Sequence, residues 1–321
     1  MLLTIQGCAP ASSAAADTGG FHSLTVADAR AAYDSYLKVS DTAAAQGNQV
    51  QGLSVVADAQ WAVVHGQYTA LASAGRPVPR YRYGTPIFYV PALTGYPQWF
   101  MVATTRTTVA AGPGATSNTI MAFERSAADE PWTLNGTAVL GQGIPAIATD
   151  RDGYAIPVSH SDPDLLLPPD VVGASQAAVV DEGPTSAAAA LIGSGPQTTG
   201  FYAAQAAQAG ADAAHGWNYQ WLLQGSPFEQ FGLQTAGGGA LVLYGMYLNT
   251  TTEHPDLVKG APIPVPAEFS PLLAAPTEVG YHAVYANWTF QYAAIDPPAA
   301  AKDAKVEVIA SGGGPSYGHA Y

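Results

Sequence analysis

The sequence predicts an α+β protein built from two helix–helix–antiparallel-meander units, whose helices pack on one sheet face. Three observations predict it. Apolar residues recur at helical spacing near the start of each half, and the spacing then changes to two. Turns bearing Gly and Pro separate the short alternating runs that follow. The order of helices then strands occurs twice in 321 residues, a length that two units of ordinary size account for better than one.

In chain order, Thr25 and Asp28 stand at capping-box spacing, with Asp in place of the usual Glu. Ala29, Ala32, Tyr33, Tyr36 and Leu37 continue at helical period. A second helix is predicted over 53–74, with Val56, Trp61, Val64, Tyr68 and Leu71 on its apolar face, until Gly75 and Pro77 stop it. Residues 81–83, 87–90, 98–107, 119–125 and 132–140 then read as strands rich in aromatic and β-branched residues, with turns at 112–114 and 129–131. The second half repeats the order. Helices are predicted over 168–180 and 198–214, and strands over 217–223, 231–235, 240–251, 281–293 and 306–309. This divides the chain into a leader and flexible tether over 1–24, a first α+β domain over 25–160 and a second over 161–321.

Charged residues make up only 11% of the chain, against roughly 25% in an average globular protein. With abundant Ala, Gly, Thr and Pro, this suits an exported protein of a GC-rich bacterium. The formal net charge of −13 is lopsided: residues 1–151 hold eight Lys/Arg against nine Asp/Glu, and residues 152–321 hold three Lys against fifteen. So acidic a second half repels phosphate backbones and anionic headgroups, which excludes nucleic acid as a partner and leaves membrane attachment to another device. The single cysteine rules out an internal disulfide and a Cys-rich zinc site. The longest apolar run, Ala240 to Leu248, falls far short of a spanning helix and reads as a buried strand.

That cysteine has a context. Ile5, Gln6 and Gly7 precede Cys8, and 9–20 is rich in Ala, Ser and Gly. An aliphatic residue at −3, a small one at −1 and Cys at +1 resembles a bacterial lipobox, where the thiol takes a diacylglycerol thioether and the small neighbour admits the peptidase. Cys8 is therefore the expected lipidation site, and the membrane is the expected partner. Gln6 departs from the usual pattern. Seven residues are also fewer than a working signal needs, so the expectation is of a signal truncated at its upstream end.

The layout of helices and meanders resembles a tandem of nuclear-transport-factor-2-like (cystatin-like) domains, and the resemblance implies cone-like curved sheets packed on helices. Two stretches, 145–155 (Pro-Ala-Ile-Ala-Thr-Asp-Arg-Asp-Gly-Tyr-Ala) and 238–244 (Gly-Gly-Ala-Leu-Val-Leu-Tyr), are similar to an uncharacterised actinobacterial lipoprotein family. The resemblance covers most of the chain past residue 25 and implies an anchored envelope protein, with no activity attached to any residue.

Motifs for chemistry are few. Asp150-Arg151-Asp152-Gly153 opens like a calcium loop, but no Glu lies between Glu130 and Glu182 to close it, so it reads as an Asp-Gly turn. Ser159, His160 and Asp162 are the residue types of a serine triad, but their adjacency forbids the convergence a triad needs. The seven histidines show no ligand spacing, so neither a metal nor a cofactor is expected. Arg76, Arg80 and Arg82, interleaved with Tyr81 and Tyr83, form the one basic cluster and are candidate anion-binding residues, or arginines paired with acidic neighbours. Asn135, Asn249 and Asn287 lie in Asn-x-Thr sequons, read as chance in a Thr-rich chain. Among the strand aromatics, Trp99, Tyr285 and Trp288 are candidate pocket or surface residues. Alternation puts Tyr285 and Asn287 on one face, and Trp288, Phe290 and Tyr292 on the other.

Three functions compete on this reading. The first is a non-enzymatic, lipid-anchored envelope protein that binds a partner protein, a wall polymer or an apolar ligand. The second is a small-molecule enzyme of the isomerase or dehydratase kind, which needs a buried Asp or His inside a cone. The third is a structural surface spacer. Fold alone does not choose among them.

Overall fold

The capping box forms as its spacing predicts. Thr25 Oγ1 accepts from the Asp28 N–H at 3.2 Å, and the Thr25 N–H donates to Asp28 Oδ2 at 3.0 Å, which starts helix α1 (Val26–Gln46). Gly47, left-handed at φ 64°, ends it. The computed structural model describes residues 24–109, 114–256, 263, 265–273 and 282–320. Cys8 and its tether, Tyr281 and most of the turn at 112–114 lie outside them.

The long second helix expected over 53–74 is two helices, α2 (Gln49–Leu53) and α3 (Asp58–Ser73). Between them Val56 bridges to Leu134: the Leu134 N–H donates to Val55 O, and the Ala57 N–H to Leu134 O, both at 3.0 Å. Val55 and Val56 are β-branched and favour extended backbone, so strand-like pairing displaces helix continuation there.

The first meander is β1 (Tyr81–Tyr83), β2 (Ile87–Tyr89), β3 (Gln98–Thr108), β4 (Thr116–Arg125) and β5 (Thr133–Leu140). Two helices follow, α4 (Pro169–Glu182) and α5 (Thr199–Ala213). The second meander is β6 (Asn218–Gly225), β7 (Phe231–Gln234), β8 (Ala240–Glu253), β9 (Ala283–Asp296) and β10 (Glu307–Ala320). The order of helices then meander thus occurs twice, in an α+β fold with a large curved antiparallel sheet.

The two meanders form one sheet. Its order is β1-β3-β4-β5-β10-β9-β8-β6, with β2 added on β3 and β7 on β8. The halves join where Leu140 pairs with Ala310 and Val139 with Ser311. The boundary expected between 160 and 161 therefore does not separate two sheets. It falls in the connection that leads from β5 to α4.

β10 departs most from expectation, reaching Ala320 where the sequence suggested a strand over 306–309. Its Ser-Gly-Gly-Gly-Pro run reads locally as a loop. Pairing with both β5 and β9 holds it extended, and a Cβ on Gly312 would stand 2.4 Å from the Thr137 carbonyl oxygen. Only glycine allows that approach.

Helices cover the sheet in two places. Tyr33 and Tyr36 of α1 pack on Phe100, Phe123 and Leu134. Val172, Val179 and Val180 of α4 pack with Val242, Tyr244 and Tyr292. The opposite faces of the two meanders meet each other, Met101 and Ile120 lying with Phe231, Leu233, Leu241 and Leu243. Each such large apolar side chain contributes about 1.5–3 kcal/mol on burial. α3 belongs to the first half by sequence but lies on β10, where a Cβ on Gly66 would stand 2.1 Å from the Pro315 carbonyl oxygen. Among the described residues no helix is long and apolar enough to cross a membrane.

Candidate functional site

β8 and β9 run side by side for fourteen residue pairs, and their alternation decides which side chains face α5. Leu248, Thr250 and Thr252 of β8 lie on the same face as Val284, Ala286, Trp288 and Phe290 of β9. Above that face α5 offers Phe201, Gln205, Gln208 and Asp212, spaced so that they share one side of a helix. Sheet and helix do not close on each other. Between them lies a cavity of about 640 Å³, completed by Trp217, Tyr219, Ile263, Val265, Pro266, Glu268 and Phe269.

Its walls divide by chemistry. Trp288 and Phe290 stack with ring planes 2° apart and centroids at 6.0 Å. Phe201 meets Phe290 edge-on at 5.8 Å, and Phe269 meets Trp288 at 5.0 Å. This is the apolar end. The other end gathers Asp212, Trp217, Tyr219, Thr250 and Thr252. Asp212 is only 7% exposed, and its Oδ1 accepts from Gln208 Nε2 at 2.9 Å. The Tyr219 hydroxyl donates to Gln205 Oε1. Burial, reinforced by the nearby Asp212 charge, pushes the Tyr219 phenol up to about 12. The Trp217 Nε1–H is buried without an acceptor among the described residues, a group that costs about 1–3 kcal/mol when unpaired.

Two other hollows compare poorly with it. A larger one, about 860 Å³, follows the β5–β10 junction and the 193–198 loop, and is lined mostly by glycines and polar groups. A third, about 210 Å³, lies between α1, α3 and β1, near Tyr36, Tyr81, Tyr83 and Arg106. Ligand sites are concave and mainly apolar, with a few converging polar groups, and of these three hollows the cavity under α5 fits that description best.

The candidates named from sequence are distributed unevenly around it. Trp288 lines the cavity. Trp99 is core, 8% exposed, its ring 5.6 Å from Phe231. Tyr285 lies on the other face of β9, its ring 6.3 Å from His319. Arg80 is tied to Asp41 of α1 by two hydrogen bonds of 2.7 Å, which hold the Asp41 carboxyl below its usual range. Arg76 and Arg82 are exposed. The asparagines of the sequons are hydrogen-bonded within the fold: Asn135 donates to Asp58 Oδ2 at 2.6 Å, and Asn287 donates to Asn249. The Asp-x-Asp-Gly stretch is a turn, in which Asp150 Oδ1 accepts from the N–H groups of Asp152 and Tyr154. His160 pairs with Glu229 at 3.1 Å. Among the described residues no group of three His, Cys, Asp or Glu is placed to hold a metal ion.

Sequence reasoning missed Asp212, Trp217, Tyr219 and Phe269. The α5 spacing of Phe201, Gln205, Gln208 and Asp212 was the available signal. It was obscured because Gln and Asp on a helix normally mark its wet face. Two further carboxyls, half-buried Glu124 and buried Asp296, also went unnoticed. Glu124 is raised to about 7 by burial and then by the charges of Asp58 and Glu229. Asp296 is raised to about 7 by burial, and accepts from the Leu167 N–H at 3.3 Å.

Fold and site together define an α+β protein with one curved antiparallel sheet, helices over it, and an aromatic cavity under one helix. The chain belongs to the family described as domain of unknown function DUF8094, whose profile matches residues 22–314. An uncharacterized lipoprotein of Streptomyces avermitilis is 28% identical over 158 residues. The match covers 49% of this chain and 44% of that protein, so it spans less than half of the relative's length. No solved structure matches.

Proposed function

We propose that this chain is an extracytoplasmic, lipid-anchored envelope protein that binds an apolar ligand in the cavity under α5. The observation that carries the binding role is the cavity itself, about 640 Å³ with stacked aromatic walls at one end and a small set of polar groups at the other. The lipobox-like context of Cys8 and the lipoprotein name of the Streptomyces relative support the anchored location. Helices α4 and α5 over the second meander support the cystatin-like reading of that half. Nile red, uncharged and fluorescent in apolar surroundings, should bind the 25–321 fragment. Ala286→Phe, which fills the cavity from β9, should abolish that binding while leaving the fold intact by circular dichroism. Undiminished binding in the variant sinks the proposed site. For the anchor, mass spectrometry of the membrane-extracted protein should show diacylglycerol on Cys8, and Cys8→Ala should release it.

One observation favours a second reading, a small-molecule enzyme of the isomerase or dehydratase kind. Asp212 is buried inside the cavity and acts electrostatically on Tyr219, so a base and a phenol share the site. That reading requires turnover of some small carbonyl compound or hydroxy-acid derivative, lost in Asp212→Asn.

A further inference from the structure

The charge pattern of the cavity is one-sided. Asp212 and Glu268 line it, and no Lys, Arg or His among the described residues does. Asp212 is 7% exposed and takes a hydrogen bond from the neutral side chain of Gln208. No salt bridge to it occurs among the described residues. A carboxylate removed from water without a cation nearby is unfavourable, and partner charge delivered by a ligand relieves it. An anionic head placed there meets like charge in poorly solvated surroundings and is disfavoured.

The groups are also ordered along the cavity. On β9 the lining runs from Phe290 through Trp288 and Ala286 to Val284, and on α5 from Phe201 to Asp212. At 1.5 Å rise per residue the α5 side spans roughly 16 Å. Aromatic rings mark one end, and Asp212, Tyr219 and the Trp217 N–H, unpaired among the described residues, mark the other. Resting on the ligand-binding reading above, we propose that the cavity takes an amphiphile with an apolar chain and a positively charged head, the chain against Trp288 and Phe290 and the head beside Asp212. A hydroxyl or ether oxygen next to the cation would supply the acceptor that Trp217 Nε1 lacks.

Displacement of bound Nile red by decylamine, decanol and decanoate at pH 7 tests this with one chain and three heads. Decylamine should displace the dye at a concentration at least tenfold below that of decanoate, with decanol between them. Asp212→Asn should bring decylamine and decanoate to within about threefold of each other while Nile red still binds. Should Asp212→Asn fail to fold, Gln208→Lys, which sets a cation beside Asp212 from an exposed position on α5, should narrow the same ratio. Equal displacement by all three compounds, or a preference unchanged in a folded variant, overturns the cationic head and leaves the apolar cavity standing. Failure of Nile red to bind at all overturns the ligand-binding reading itself.

Discussion

α1 and α5 are both amphipathic helices laid over the same sheet, yet one is seated and the other is held off. α1 buries Ala29, Ala32, Tyr33, Tyr36, Ala43 and Ala44, and its two tyrosines meet Phe123 edge-on at 5.9 and 5.3 Å. α5 buries a single residue of its fifteen, and that residue is Asp212. A helix held against a sheet by hydrophobic burial alone does not bury a carboxylate and leave its alanines outside. α5 rests on β6 and α4 instead, and the space that α1 fills with its own side chains stays open beneath α5. One half of the molecule spends its apolar surface on packing, and the other keeps some for a ligand.

The comparison makes unequal claims on stability. Phe100→Ala, in the filled layer under α1, should destabilise the fold by about 3–5 kcal/mol, measured by urea denaturation. Phe290→Ala truncates a half-buried ring beside a space already present, and should cost less than Phe100→Ala. Equal losses would mean that the cavity collapses in solution, and the contrast between the halves would disappear.

A smaller effect is set by pH. Glu124 belongs to the first meander and Asp296 to the second, with values raised from 4.5 and 3.8 to about 7. Between those limits the folded chain holds protons that the unfolded chain releases, so their contribution is fully present below about pH 4 and is lost as pH rises through about 7. Thermal melting should therefore drop by a few degrees from pH 5 to pH 8. Glu124→Gln and Asp296→Asn should each flatten part of that slope, showing whether the two halves share it. The smallest effect is expected at the surface: Arg80→Ala breaks an exposed pair with Asp41 and should shift the melting temperature by about a degree or less.

Much of this was legible in the sequence, because periodicity reports local burial directly. The Thr25–Asp28 cap, the order of elements in each half and the face shared by Trp288, Phe290 and Tyr292 all follow from spacing. What was not legible depends on partners far away in the chain. Val55 and Val56 leave the helix because Leu134 is there to pair with them. The glycines of β10 stay extended because β5 and β9 flank them. Joining of the two meanders into one sheet rests on that same pairing, which no local pattern encodes. Within the site, Trp288 was readable because a strand alternates. Asp212 was not, since a charged residue on a helix reads as solvated until the roof it belongs to is known.

The pairing of β5 with β10 has a consequence for how the chain is assembled in a cell. Any polypeptide that emerges N-terminus first, from a ribosome or through an export channel, presents β5 long before β10. Until β10 arrives, β5 has an open edge and α3 rests on β5 without the strand it packs on most. The first half therefore waits, partly formed, for a strand delivered after all its neighbours, which is a slow and exposed way to fold. A chaperone that shields that edge would have its longest task between the synthesis of β5 and the arrival of Gly312.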